Sequence, residues 1–191
     1  IPFGDGHSSL GVVAPVDVLL EKAGDHLAQL QSWVAEEPNL SRMLARAVYE
    51  APVGRLQGYS CNVKQLWGPG YALLGNAGEF LDPVFSSGVT IAMKSADLAV
   101  ELLDQQLRGK AVDWDEHFSK PLKQGVNTFR AFVEGWYDGQ FQDIVFCRQQ
   151  STEIKAMICS ILAGYAWDDK NPYGKDTQRR LSTLAAVCRA Q

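Results

Sequence analysis

The 191-residue sequence is 46% hydrophobic and 21% charged, a balance that supports a substantial buried core. Its net charge of −4 gives no basic field for nucleic acid or acidic lipid. No apolar run approaches the ~20 residues that span a bilayer. These features exclude nucleic acid and a membrane span as expected partners and leave a cytoplasmic chain as the expectation.

The chain opens at Ile1 rather than Met, which reads as a portion of something longer. Gly4, Asp5 and Gly6 have turn chemistry, and residues 8–14 read as a short strand stopped by Pro15. Residues 1–14 are therefore expected to form a hairpin, with further sheet pairing upstream of Ile1. Residues 25–36 have Leu27, Leu30 and Val34 at helical spacing, and Pro38 and Asn39 break that helix. A second short helix is expected to carry Leu40, Met43, Leu44 and Ala47 on one face. Residues 53–61 read as a strand.

Trp67, Gly68, Pro69 and Gly70 form a turn, followed by a short apolar strand over 71–74 and a loop over 76–87. The spacing predicts a long helix over 88–107. Its expected apolar face is Val89, Ala92, Met93, Ala96, Ala99, Val100, Leu103 and Leu107; Lys94, Asp97, Glu101, Asp104 and Arg108 form its polar face. Gly109 is a good stop. Asp113 and Glu116 have capping-box spacing ahead of a helix burying Phe118, Leu122, Phe129, Phe132, Val133 and Trp136, kinked or broken at Pro121. Residues 150–166 read as another helix. Asp176 is expected to cap a last one, with Leu181, Leu184, Ala185 and Cys188 on its inner face.

The informative segment is the strand, glycine-rich loop and helix start between Gly70 and Ala96. A helix N-terminus presents unpaired N–H groups and the positive end of a dipole, and Gly88 lets another group approach the backbone. Such a unit suits an anion or an electron-rich oxygen; a purely structural junction is the alternative. The string from Gly75-Asn76-Ala77 through Phe80-Leu81-Asp82-Pro83-Val84-Phe85-Ser86-Ser87-Gly88-Val89 resembles the second FAD-binding motif of the flavoprotein monooxygenase superfamily, the hydroxybenzoate-hydroxylase-like enzymes. It is most similar to the flavin-dependent halogenase branch. The opening Ile1-Pro2 resembles the tail of that branch's Trp-x-Trp-x-Ile-Pro motif, and the similarity covers roughly residues 1–108.

The resemblance implies FAD as cofactor, with Gly75, Asn76, Asp82, Pro83, Gly88, Val89 and Thr90 at the flavin and Ser87 and Gly88 near a halide. Asn76 stands where the family carries Asp; its amide still hydrogen-bonds a ribityl hydroxyl but brings no charge. No GxGxxG occurs in the chain, so a missing N-terminal FAD-binding part is an expected partner. The lysine that relays hypohalous acid in the family is expected there as well, and neither Lys64 nor Lys94 is assigned to it. Catalytic residues stay unassigned. The implied function is the C-terminal portion of an FAD-dependent halogenase or monooxygenase acting on a small organic substrate, free or carrier-bound. An FAD-dependent dehydrogenase or reductase of the geranylgeranyl-reductase type and a non-catalytic helical binding module are the alternatives.

The expected fold class is α+β, largely helical. It comprises a remnant of the antiparallel substrate sheet (1–66), the last strand–helix unit of an FAD/NAD(P)-binding domain (67–109) and a helical C-terminal region (110–191). No metal is expected: His7, His26 and His117 are scattered, and Cys61, Cys147, Cys159 and Cys188 form no CxxC pair and read as buried free thiols. Ser86 and Ser87 read as helix caps rather than nucleophiles, and Asp82 as a loop cap. Glu79 is open between a role in the loop and an ordinary exposed carboxylate. The aromatic group Phe129, Phe132, Trp136, Tyr137, Phe141 and Phe146 reads as bundle core more than as substrate pocket. Arg42 with Arg46, or Arg179 with Arg180, would serve a docking carrier protein; solvated surface charge is the more ordinary role.

Overall fold

The computed structural model describes residues 1–50 and 52–191. It is mostly helical with short antiparallel strand pairs, and it divides into two compact units, Ile1–Tyr59 and Ser60–Gln191.

In the first unit, α1 (Val16–Leu19), α2 (His26–Glu36) and α3 (Pro38–Met43) follow one another. The Asp25 carboxylate caps α2 by accepting from Ala28 N at 2.9 Å. Pro38 ends α2 and also opens α3, since a first helical turn has no use for the missing N–H. Glu37 accepts from Leu40 N at 2.6 Å to close that start. The hairpin is smaller than expected: Pro2 bridges Ser8, and Ser9 N donates to Ile1 O at 2.9 Å. Its partner is thus Pro2, and residues 9–15 are irregular. The strand expected over 53–61 also fails, with only Cys61 and Asn62 extended and paired. A strand needs a backbone edge to pair with, and residues 53–60 find none.

The second unit holds the core. β1 (Cys61–Asn62) pairs with β4 (Glu79–Phe80), Cys61 opposite Phe80. β2 (Trp67–Gly68) pairs with β3 (Tyr71–Ala72) across a turn in which Gly70 takes φ +84°. Of the strand expected over 71–74, Tyr71 and Ala72 pair with Gly68 and Trp67, and Leu73 N donates to Leu66 O at 2.8 Å. The long helix α4 (Gly88–Leu107) has the predicted span, and Gly109 ends it at φ +79°. Its buried face is rotated from the prediction and shares with it only Ala99 among the buried residues. Ile91, Ser95, Ala99 and Leu102 are buried, whereas Val89, Met93, Val100, Leu103 and Leu107 are exposed. The loop backbone packs on this side of the helix: a Cβ on Gly75 would lie 3.0 Å from Ala92 Cβ.

Beyond α4, a π-helical turn at Asp115–Ser119 runs into α5 (Lys120–Tyr137), the central helix, which buries Leu122, Val126, Phe129 and Phe132. Pro121 lies in the first turn of α5, where the π turn gives way to α geometry, and its carbonyl accepts from Trp167 Nε1 at 2.8 Å. Gly125 has no room for a side chain, since a Cβ there would sit 2.2 Å from the Trp167 ring. Half of the predicted capping box forms: Glu116 N donates to Asp113 at 2.9 Å, while the Glu116 carboxylate pairs with Lys120.

α6 (Gln140–Val145), α7 (Thr152–Leu162) and α8 (Thr177–Arg189) complete the unit. Leu181 and Ala185 face inward on α8 as predicted. Asp176 does not cap that helix: it sits at φ +50° and makes no cap bond, because capping needs an extended backbone that folds the side chain over the first N–H groups. The cysteines are free but not buried; Cys61 and Cys159 are exposed and Cys147 and Cys188 half-buried. Among the described residues no helix is long and apolar enough to cross a membrane. Nor does any group of three or more metal-binding side chains converge among them.

Candidate functional site

The site grows from the junction of β4, the loop after it and the start of α4. Gly75 takes φ +52°, and its N–H donates to Ser95 Oγ at 2.9 Å. Ser95 in turn donates to Ala92 O at 2.8 Å, which staples the loop to the helix.

One side of the loop is clamped by α5. Glu79 is only 4% exposed and pairs with Arg130 at 2.9 Å, so the exposed-carboxylate alternative is wrong. A buried carboxylate needs such a partner, because an unpaired charge there is costly. Asp82 accepts from Val84 N at 2.8 Å, as a loop cap should, and also from Tyr137 Oη at 3.0 Å. Phe85 meets Trp136 edge to face at 6.0 Å between ring centroids. Of the aromatic group, Phe129, Phe132 and Phe141 are core, and Tyr137 and Phe146 are exposed.

The other side of the loop is open. It bounds a recess of about 680 Å³ lined by Gly75, Asn76, Asp82, Pro83, Ser87, Gly88 and Val89 among others. Six of the seven residues expected at a flavin therefore share this recess, as do both residues expected at a halide. Thr90 is not on its wall; its side chain lies 3.4 Å from where a Cβ of Gly164 would stand. Ser86 and Ser87 do not cap the helix as expected. Ser86 is left-handed at φ +52° with its hydroxyl 3.5 Å from Pro83 O. Ser87 is 4% exposed and makes no cap bond. The first-turn N–H groups of α4 thus keep their hydrogen-bonding capacity. Asn76 Oδ1 stands 3.4 Å from the position a Gly88 Cβ would take, so the amide and the helix start are neighbours across the recess. Glu79 and Asp82 also line it, but their carboxylates are engaged by Arg130, Val84 and Tyr137.

This donor set suits an electron-rich oxygen-bearing ring better than a cation: uncapped helix N–H groups, an exposed amide and no free acid. A motif retained only for packing would lie against protein, whereas this one faces an open recess. The missed functional feature is the Arg130 clamp. Its sequence signal is a single polar residue between Phe129 and Phe132 on an apolar helix, legible only when paired with Glu79 fifty-one positions away.

Residues 24–168 match the family model for tryptophan halogenases, and the chain belongs to that family. It is 31% identical over 141 residues to the flavin-dependent halogenase gsfI of Penicillium aethiopicum, across 70% of this chain and 26% of that protein. It is 24% identical to the 1H-pyrrole-2-carbonyl-[peptidyl-carrier protein] chlorinase of Pseudomonas fluorescens, across 98% of this chain and 41% of that one. A solved flavoprotein/dehydrogenase from Cytophaga hutchinsonii superposes over the whole chain with a TM-score of 0.94 at 38% identity, covering 47% of its own length. The chain thus spans a quarter to a half of the length of these relatives.

Proposed function

We propose that this chain forms the flavin-facing part of an FAD-dependent halogenase or monooxygenase that oxidises a small organic substrate. The observation that carries the reading is the open recess, in which Gly75, Asp82 and Gly88 meet around uncapped helix N–H groups. Asn76 would hold a ribityl hydroxyl, and the backbone N–H groups of Val89 and Thr90 would face the electron-rich edge of the ring. Thr90 contributes through its backbone alone, its side chain being turned toward Gly164. Ser87 and Gly88 would offer backbone donors to a halide. Bound there, FAD would supply the oxygen-dependent oxidation of halide or substrate. Arg130, Tyr137 and Trp136 would keep the loop in place from behind.

The nucleotide end of the cofactor needs a further portion of protein, consistent with the length of the relatives. Residues 67–109 would be the flavin-binding piece, 110–191 its helical cover and 1–66 what this chain holds of the substrate sheet. The apolar stripe of Val89, Met93, Val100, Leu103 and Leu107 on α4 offers that portion a face to pack on. A carrier-bound substrate is supported by the names of two relatives, the pyrrole-carbonyl carrier-protein chlorinase and a brominase from Pseudoalteromonas luteoviolacea.

A second reading, an FAD-dependent dehydrogenase or reductase, is favoured by the likeness to the solved flavoprotein/dehydrogenase. The two separate by product mass. The longest natural form carrying this chain is incubated with FAD, a flavin reductase, NADH, air and either chloride or bromide, over a panel of phenols, indoles and pyrrole-2-carbonyl thioesters. A halide-dependent mass gain is expected. Loss or gain of two hydrogens independent of halide would move the assignment to the second reading.

A further inference from the structure

A second cavity lies among α6, α7 and α8, with about 360 Å³ of space. It shares no lining residue with the recess at α4. Phe85 lines this cavity while its loop neighbours Pro83 and Ser86 line the recess, so the loop presents a different wall to each. The volume falls within the range of sites that hold small organic molecules.

The wall is chemically one-sided. Phe85, Trp136 and Phe141 form a triangle of edge-on rings, with centroid separations of 6.0, 5.6 and 6.3 Å. Such an arrangement accepts a further ring edge to face. Ile144, Ile158 and Leu184 supply aliphatic surface. Three thiols, Cys147, Cys159 and Cys188, also line the cavity. Burial first, and then a hydrogen bond with Cys147, push the Cys188 thiol up to about 11, so that thiol stays protonated at neutral pH. Lys155 is the one charged residue on the wall among the described residues, and no acidic side chain lines the cavity there.

Water gains little from such a surface, whereas an apolar body displaces it at roughly 25 cal/mol per Å² buried. A lone ammonium at the rim of an apolar pocket selects an anionic head over a cationic one, because the interaction changes sign between them.

We propose that this cavity is a binding site for a small aryl-alkanoate: an aromatic ring on a short aliphatic stem, seated against Phe85, Trp136 and Phe141, with its carboxylate at Lys155. The site stands independently of the flavin reading, since none of its residues lines the recess.

The test is calorimetric titration of the protein with three probes of one shape, 5-phenylpentanoate, 5-phenylpentan-1-ol and 5-phenylpentan-1-amine. The acid is expected to bind saturably at one site and at least about tenfold more tightly than the amine. Lys155→Glu, at an exposed position, is expected to reverse that order. Cys159→Trp, also at an exposed position, is expected to fill the cavity and abolish binding of all three while leaving the thermal melt in place. The proposal is overturned if the acid fails to bind in the millimolar range, if acid and amine bind alike, or if binding survives Cys159→Trp unchanged.

Discussion

The two units of the chain carry similar apolar patterning and differ in what covers it. Among the described apolar residues of 1–59, Val34 alone is buried, while residues 60–191 bury a continuous core from Leu66 to Ala185. Leu40 and Met43 on α3 keep helical spacing yet stay exposed, Met43 at 74%. Phe129 and Phe132 on α5 have the same spacing and fall to 1% and 0%. Periodicity tells which residues share a face; only a partner surface decides whether that face is buried. α4 shows both outcomes on one helix.

The largest expected effect sharpens this contrast. Phe132→Ala should cost about 3–5 kcal/mol, the usual loss for emptying an aromatic site in a packed core. Met43→Ala should stay within about 0.5 kcal/mol, as exposed substitutions do. Urea unfolding followed by circular dichroism would check both. Equal effects would mean that the first unit has a core of its own.

Arg130→Ala comes next. It strands the buried Glu79 carboxylate and should cost about 3 kcal/mol, toward the lower end for a broken buried pair. Adding Glu79→Gln should recover part of that loss, which a double-mutant cycle in the same unfolding assay would read. Tyr137→Phe removes the hydrogen bond to Asp82 and should cost about 0.5–1.5 kcal/mol.

A last effect concerns pH. The Cys188 thiol is raised from an ordinary value near 9 to about 11 in the folded chain. The folded state therefore holds this proton where the unfolded state has released it, and stability should fall as pH rises from about 9 toward 11. Unfolding curves of wild type and Cys188→Ala at pH 8, 9.5 and 10.5 should converge or cross as pH rises. A constant gap between them would contradict the shift.

What the sequence disclosed follows the range of the interactions involved. α4 was legible to its ends because Gly88, the periodicity over 88–107 and Gly109 are local signals. The loop residues Gly75, Asp82 and Gly88 were legible through a contiguous string, and six of seven share the recess. Helix rotation was not legible, because α4 carries two apolar stripes and the loop at Gly75 packs on the one that holds Ile91, Ala92 and Ser95. The Arg130–Glu79 clamp was missed because it joins positions far apart, and the side chain of Thr90 lies toward Gly164 while its backbone N–H, the group expected at the flavin, belongs to the first turn of α4. The strands expected over 8–14 and 53–61 failed for the same reason as the α3 face, the lack of a partner.

The most direct test of the account is flavin titration of the protein, both as the 191-residue chain and in its longest natural form, beside Gly88→Leu. A Cβ at Gly88 meets Asn76 Oδ1 at 3.4 Å, an ordinary contact, and the rest of the side chain has the open recess to enter, so the fold should survive while the recess is filled. The account predicts that the longest form binds FAD with quenching of flavin fluorescence, and that Gly88→Leu weakens binding by at least about tenfold, roughly 1.4 kcal/mol, with an unchanged melt. FAD binding that is indifferent to Gly88→Leu, or absent from every form, would contradict it.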